Sequence, residues 1–273
     1  MPELPEVETV RVGLAKALEG EPTIKQVKLM RADIRFPIPK ELPEVLKGQK
    51  VIGVRRRAKY LFIDTPKATL LSHLGMTGSW RFRERGEIDL HDHCFIEFND
   101  GRELVFRDPR RFGMLDLIRP GLESEHPRLK GLGPEPLDES AFNGEYLYRV
   151  SRKRRVPVKA FLMDQKVVVG VGNIYASECL FLSGVKPQKL ASRLSRLECD
   201  RIASDVVKVL KEAIVAGGSS IRDYKNASGG SGEFQNSHKV YDRGGDPCTK
   251  CGQSIRSKVI GGRSTFWCQN CQK

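Results

Sequence analysis

Four cysteines near one end of the chain carry the clearest chemistry. Cys248-x2-Cys251 and Cys268-x2-Cys271 enclose residues 252–267. Each pair can present two thiolates from a tight knuckle, and the hairpin between them closes a tetrahedron, the pattern of a four-cysteine zinc site. Such a site is coordinatively closed, so the one zinc ion it implies is structural and does no catalysis. The enclosed segment, GQSIRSKVIGGRSTFW, carries Arg256, Lys258 and Arg263 and no acidic residue. It reads as a basic finger suited to phosphate contact. Cys94, Cys179 and Cys199 stand singly in apolar or helical surroundings and read as reduced structural thiols. At the other end, MPELPEVETV sets Pro2 and Pro5 among Glu3, Glu6 and Glu8. Taken alone, this stretch is two chain breakers among solvated charges.

Composition bounds the partner. Lys and Arg number 47 against 34 Asp and Glu, a formal charge of +13. That excess argues for a polyanion: nucleic acid first, an anionic membrane surface as a weaker alternative. With 39% apolar and 30% charged residues the chain can bury a core. No run of about 18 apolar residues suggests a membrane span. The first residues lack a basic stretch followed by an apolar one, so a cytoplasmic, nucleoid-associated location is expected.

The elements that must position these groups fall into two halves. PEVETVRVGLAKALEG spaces Val7, Val10, Leu14 and Leu18 at helical intervals and ends at Gly20. Short β-like runs follow: TIKQVKLM, KVIGVRRRAKYLFIDT, ATLLSHLGMTGSWRFR, DHCFIEFND, RELVFRD and GMLDLIRP, with a hairpin signal at Asn99 to Gly101. Six or more short strands without long intervening helices predict an antiparallel sandwich or barrel. GLGPEPLD at 131–138 marks a boundary, and helical patterns occupy about 139–216. A Gly/Ser-rich stretch, GGSSIRDYKNASGGSGEFQNS, then reads as a loop or linker.

Together MPELPEVETV, RRRAKY, SHLGMTGS, DPRRFG, LGPEPL, DQKVVVGVGNIYASE and CTKCG…FWCQNCQK resemble the bacterial formamidopyrimidine-DNA glycosylases over nearly the whole length. The resemblance implies an α+β multidomain fold. An N-terminal antiparallel β-sandwich with flanking helices spans 1–132, and a linker spans 133–138. A helix–two-turn–helix domain spans 139–238 and includes a lesion-recognition loop at 217–236. A β-hairpin zinc finger spans 239–273. It further implies a monomer that acts on double-stranded DNA containing oxidised bases or abasic sites, with no membrane partner and no dissociable cofactor.

The resemblance also assigns roles. Removal of Met1 would make Pro2 the terminal amine, a nucleophile for a sugar C1′. Glu3 would protonate the opening ring, Glu6 would orient water or the helix start, and Glu8 falls to solvent. Lys59, placed in a strand-like run, would donate a proton or clamp a phosphate. Arg263 would assist δ-elimination. Met76, Arg110 and Phe112 would fill the gap left by an extruded base. His73, His91, Arg154, Lys159 and Asn173 are phosphate contacts, Asn173 at a helix start. Ser219, Ser220, Ile221, Arg222, Asp223 and Tyr224 would face the flipped purine. Family members often carry Gly-Tyr-Phe where this chain has Gly232-Glu233-Phe234, which bears on lesion choice. Two alternatives stay open: an oxidised-pyrimidine glycosylase of the endonuclease VIII kind, and a non-catalytic zinc protein that binds damaged duplex.

Overall fold

The computed structural model describes every residue except 84–87 and 220–232. The chain divides into two compact units. The first comprises residues 1–130 with Gly217, Gly218, Ser219 and Glu233, and the second comprises the rest of the described residues. The residues that open the Gly/Ser-rich stretch thus group with the first unit, not with the helices that precede them.

The first unit begins with helix α1 (Leu4–Ala17). Its opening residues explain the proline-glutamate pattern. Pro5 lies in the first turn, where a missing N–H costs nothing. Glu6 accepts the Glu3 N–H at 2.8 Å, which satisfies a donor the helix cannot. Val7, Val10 and Leu14 line the buried face. Eight strands follow: β1 (Ile24–Leu29), β2 (Gly53–Arg57), β3 (Tyr60–Asp64), β4 (Thr69–His73), β5 (Ser79–Arg83), β6 (Asp92–Phe98), β7 (Glu103–Arg107) and β8 (Met114–Ile118), with short helix α2 (Leu42–Leu46) after β1. They form two antiparallel sheets, ordered β1-β6-β7-β5 and β2-β3-β4-β8.

One core joins both sheets and α1. Leu61, Ile63, Leu70 and Leu115 come from one sheet, Trp80, Ile96, Leu104 and Phe106 from the other. The alternation of strand side chains makes this sharing possible. Trp80 keeps its buried indole N–H satisfied on Ser72 Oγ at 3.0 Å, across the two sheets. Two long β-like runs of the sequence each split into a pair of strands. The first breaks at Ala58 and Lys59, where Ala58 takes φ +55°.

The second unit contains α3 (Gly144–Ser151), α4 (Val158–Met163), α5 (Asn173–Leu182) and α6 (Arg196–Val215), then strands β9 (Arg256–Ile260) and β10 (Arg263–Trp267). Asn143 and Ser195 cap α3 and α6 through their side chains. Gln165 shapes the connection from α4 to α5: its Oε1 accepts Gly170 N–H at 2.8 Å, and its Nε2 donates to Met163 C=O at 3.2 Å and Val171 C=O at 3.1 Å. Val167, Val168, Val169 and Val171 bury this connection and fix where α5 starts. Gly261 and Gly262, both at positive φ, make the tight β9–β10 turn. No helix among the described residues is long and apolar enough to cross a membrane.

Candidate active site and zinc centre

Met1 is exposed, but the chain is buried from Pro2 onward, which a fraying terminus would not be. Pro2 is buried, Glu3 is 2% exposed and Glu6 is fully buried. Burial lowers the pKa of the Met1 amino group below its ordinary 8.0. Glu3 and Glu6 oppose that shift, while Lys59 and Arg110 reinforce it. Each of these four side chains therefore acts electrostatically on the terminal amine, and all were singled out from the sequence.

Lys59 sits in the β2–β3 turn, not inside a strand, and is 6% exposed. The turn is braced by Arg56, whose Nη1 donates to Ala58 C=O at 2.9 Å and whose Nε donates to Glu8 Oε2 at 2.9 Å. Glu8 also accepts Arg11 Nε at 2.8 Å. Glu8 is thus no solvated charge: it ties α1 to the strand that delivers Lys59. The sequence holds the partners but gives no sign of their pairing, because Arg56 is one of three consecutive arginines.

Glu6 has a second role. Its Oε1 accepts the Ser219 N–H at 2.7 Å. Gly218, at φ +81°, has no room for a side chain, since a Cβ there would meet Glu6 Oε1 at 2.8 Å. Ser219 itself is 1% exposed, with its amide committed to Glu6 rather than presented to a base. Ser220, Ile221, Arg222, Asp223 and Tyr224 lie outside the described residues.

Met76, Arg110 and Phe112 are exposed while their neighbours Gly75, Thr77, Asp108 and Gly113 are buried. Arg110 Cζ lies 5.0 Å from the Phe112 ring centroid. His73 accepts Gly75 N–H on Nδ1 at 2.9 Å and packs edge-on against Tyr60. Burial, helped by Lys59 and Arg35, drops its pKa to about 4, so the ring is neutral at pH 7 and can offer a phosphate only an Nε2 hydrogen bond. His91 lies just before β6 and accepts Asp108 N–H on its carbonyl at 2.9 Å.

In the second unit, Arg154 is exposed, with Asp164 at 3.5 Å, and Arg263 is exposed at the start of β10. Asn173 opens α5, and its Oδ1 is buried with no hydrogen-bond partner among the described residues. Lys159 departs from the phosphate role. It is 2% exposed, and its Nζ donates to Ser264 C=O at 2.8 Å and Thr265 Oγ1 at 2.9 Å. It anchors the strand that carries Arg263. Glu178, unremarked in the sequence, is a second anchor: its carboxylate accepts the N–H groups of Lys239 at 2.8 Å, Val240 at 3.0 Å and Tyr241 at 2.7 Å.

The four finger cysteines come together. Their Sγ atoms lie within 4.8 Å of one another, with Cys248–Cys271 at 3.9 Å and Cys251–Cys268 at 3.5 Å. A zinc ion at ~2.3 Å from each sulfur requires edges of about 3.8 Å, so the sulfurs fit the ion. The Gln253 N–H leads in lowering the Cys251 thiol to about 6, whereas burial and the neighbouring sulfurs push Cys271 to about 12. Four thiolates this close need a cation to coexist. Zinc here would hold the hairpin, and Gln272 seats it on the end of α5 by donating to Val185 C=O at 2.8 Å and accepting Cys268 N–H at 2.9 Å.

Comparisons with known proteins agree across the chain. Residues 1–115 match the model for the formamidopyrimidine-DNA glycosylase N-terminal domain, 132–225 the H2TH domain of the same enzymes, and 245–273 a zinc finger found in FPG and IleRS. A formamidopyrimidine-DNA glycosylase of Bdellovibrio bacteriovorus is 52% identical over 273 residues, covering 100% of both chains. A Lactococcus lactis FPG mutant, solved with Fapy-dG containing DNA, superposes with a TM-score of 0.92 at 33% identity over 100% of both chains. The same organism's Fpg with abasic-site DNA gives 0.91 at 33% identity over 99% of each. With its three domain types matched in order and a full-length relative at this identity, the chain belongs to the formamidopyrimidine-DNA glycosylase family of DNA-repair enzymes.

Proposed function

We propose that the chain removes oxidised purines, 8-oxoguanine and formamidopyrimidines, from duplex DNA and then cleaves the abasic strand, with Pro2 as nucleophile. The observation that carries this reading is the burial of Pro2 and Glu3 at the chain start, beside which Glu3 and Lys59 act electrostatically on the amino group of Met1. Family membership and the relatives solved with Fapy-dG and abasic DNA support the substrate class.

The chemistry follows from a secondary amine. Once Met1 is removed, the Pro2 nitrogen attacks C1′. The N–C1′ bond forms as the bond to the base breaks, and the departing base takes the bonding electrons and the proton that the amine gives up. Glu3 protonates the ring oxygen as it leaves C1′, and the nitrogen lone pair forms the iminium. This cation cannot be neutralised by losing an N–H proton, so it draws electrons from C2′. Loss of a C2′ proton expels the 3′ phosphate, and a second elimination expels the 5′ phosphate. Lys59 moves protons in these steps, and Arg263 holds the flanking phosphate. Met76, Arg110 and Phe112 occupy the vacated stack. His73, His91, Arg154 and Asn173 bind the backbone, Asn173 through an amide at a helix start.

Borohydride reduction tests the nucleophile. Duplex bearing 8-oxoguanine opposite cytosine should give a covalent adduct with the processed protein and none with Pro2→Gly. The trapping rate should rise with pH as the terminal amine loses its proton, because only the free base attacks. An adduct of equal yield in Pro2→Gly would refute the assignment.

A further inference from the structure

We propose that Asp108, acting through Thr77, is a positioning residue that locks the Met76 turn and the Arg110–Phe112 turn into one insertion unit. This rests on the reading that those three side chains fill the gap left by an extruded base.

The topology brings the turns together. Residues 74–78 connect β4 to β5, and residues 108–113 connect β7 to β8. Both connections cross from one sheet to the other, because β4 pairs with β8 while β5 pairs with β7. The turns touch backbone to backbone. Gly75 sits at φ +63°, and a Cβ there would overlap the Phe112 carbonyl and the Gly113 nitrogen.

Asp108 ties them with hydrogen bonds. It is fully buried. Its Oδ1 accepts the Thr77 hydroxyl at 2.6 Å, from the first turn, and its Oδ2 accepts Gly113 N–H at 2.7 Å, from the end of the second. Thr77 Oγ1 accepts Arg110 N–H at 3.2 Å, which closes the link. The Asp108 carbonyl accepts Arg111 N–H at 3.2 Å and meets His93 Nε2 at 2.9 Å, holding Arg111 at φ +56° between the two wedge residues. The carboxylate is thus shielded from solvent, and the partners it holds are a hydroxyl and a backbone amide. What it sets is where the backbones beneath Met76, Arg110 and Phe112 stand.

Such an arrangement matters for one step. Unstacking a base has to be offset by side chains that enter the stack together, and a displaced wedge loses that compensation. A preformed abasic site has no base to extrude, so its cleavage should feel the wedge less.

The test compares single-turnover excision of 8-oxoguanine with cleavage of a preformed abasic duplex, using the full chain with zinc. Thr77→Val removes the hydroxyl and keeps the shape. It should slow excision by about tenfold while abasic cleavage stays within about twofold of wild type. Thr77→Ser should restore excision, and Asp108→Asn should shift the ratio in the same direction. Equal losses in both activities, or none in either, would overturn the proposal. The double variant Met76→Ala, Phe112→Ala separates the two readings. If it leaves the ratio unchanged, the wedge reading fails. If it shifts the ratio and Thr77→Val does not, only the positioning role fails.

Discussion

The two turns of the sandwich and the hairpin of the finger hold exposed side chains in opposite ways. The turns stand on a large apolar core shared by two sheets and a helix, and buried polar side chains of that unit fix them. The finger has little core of its own: Val240, Cys248, Ile255 and Cys268 cluster with Phe181, a residue of α5. A segment this short cannot bury enough apolar surface to order itself, and a metal makes up the difference. The contrast teaches where each region can fail. The sandwich can lose one hydrogen bond and keep its fold, whereas the finger stands or falls with its sulfurs.

The strongest break in that contrast is zinc removal. Chelation or Cys268→Ser should withdraw on the order of 10 kcal/mol of folding free energy from the hairpin. Hydrogen exchange at the amides of 256–267 should rise to the unprotected rate, while exchange in the strands of the first unit stays unchanged. Loss of protection in both units would erase the distinction. A smaller effect is expected from Glu6→Ala, which strips the acceptor from the Glu3 and Ser219 amides. Urea unfolding of the first unit should lose about 3 kcal/mol, and borohydride trapping should weaken with it.

The smallest effect is a pH dependence confined to the sandwich. His73 has a folded pKa of about 4 against an ordinary 6.5. Its neutral burial therefore contributes stability above pH 6.5 that is lost as pH falls toward 4, since only the unfolded chain takes up the proton in that window. The ring is partly exposed, so the loss should be about 2 kcal/mol. His73→Gln should flatten the stability profile over that range, and a profile that still falls as steeply would assign the loss to other groups.

Much of the architecture was legible because periodic patterns and punctuation survive in the sequence. The alternating runs gave the strands, Asn99 to Gly101 gave the β6–β7 hairpin, and the helical patterns of 139–216 hold α3 to α6. The split at Ala58–Lys59 was not legible, since an alanine in the left-handed region carries no turn signature. The cysteine spacing named its own cluster. Residue type alone misplaced Lys159, because a lysine in a basic chain reads as surface, and only the fold brings the Ser264 carbonyl and the Thr265 hydroxyl to it. Asp108 was hidden for the converse reason. In Asp-Pro-Arg-Arg-Phe-Gly the aspartate reads as an ordinary turn initiator, and its link to Thr77 spans 31 residues.

The bond from Glu6 to Ser219 joins positions 213 residues apart. A ribosome makes the helix that bears Glu6 well before the distant donor that this acceptor needs. Until then α1 lacks this brace. The brace closes only after Ser219 has emerged, so a shorter nascent chain carries its first helix on an unfinished mount.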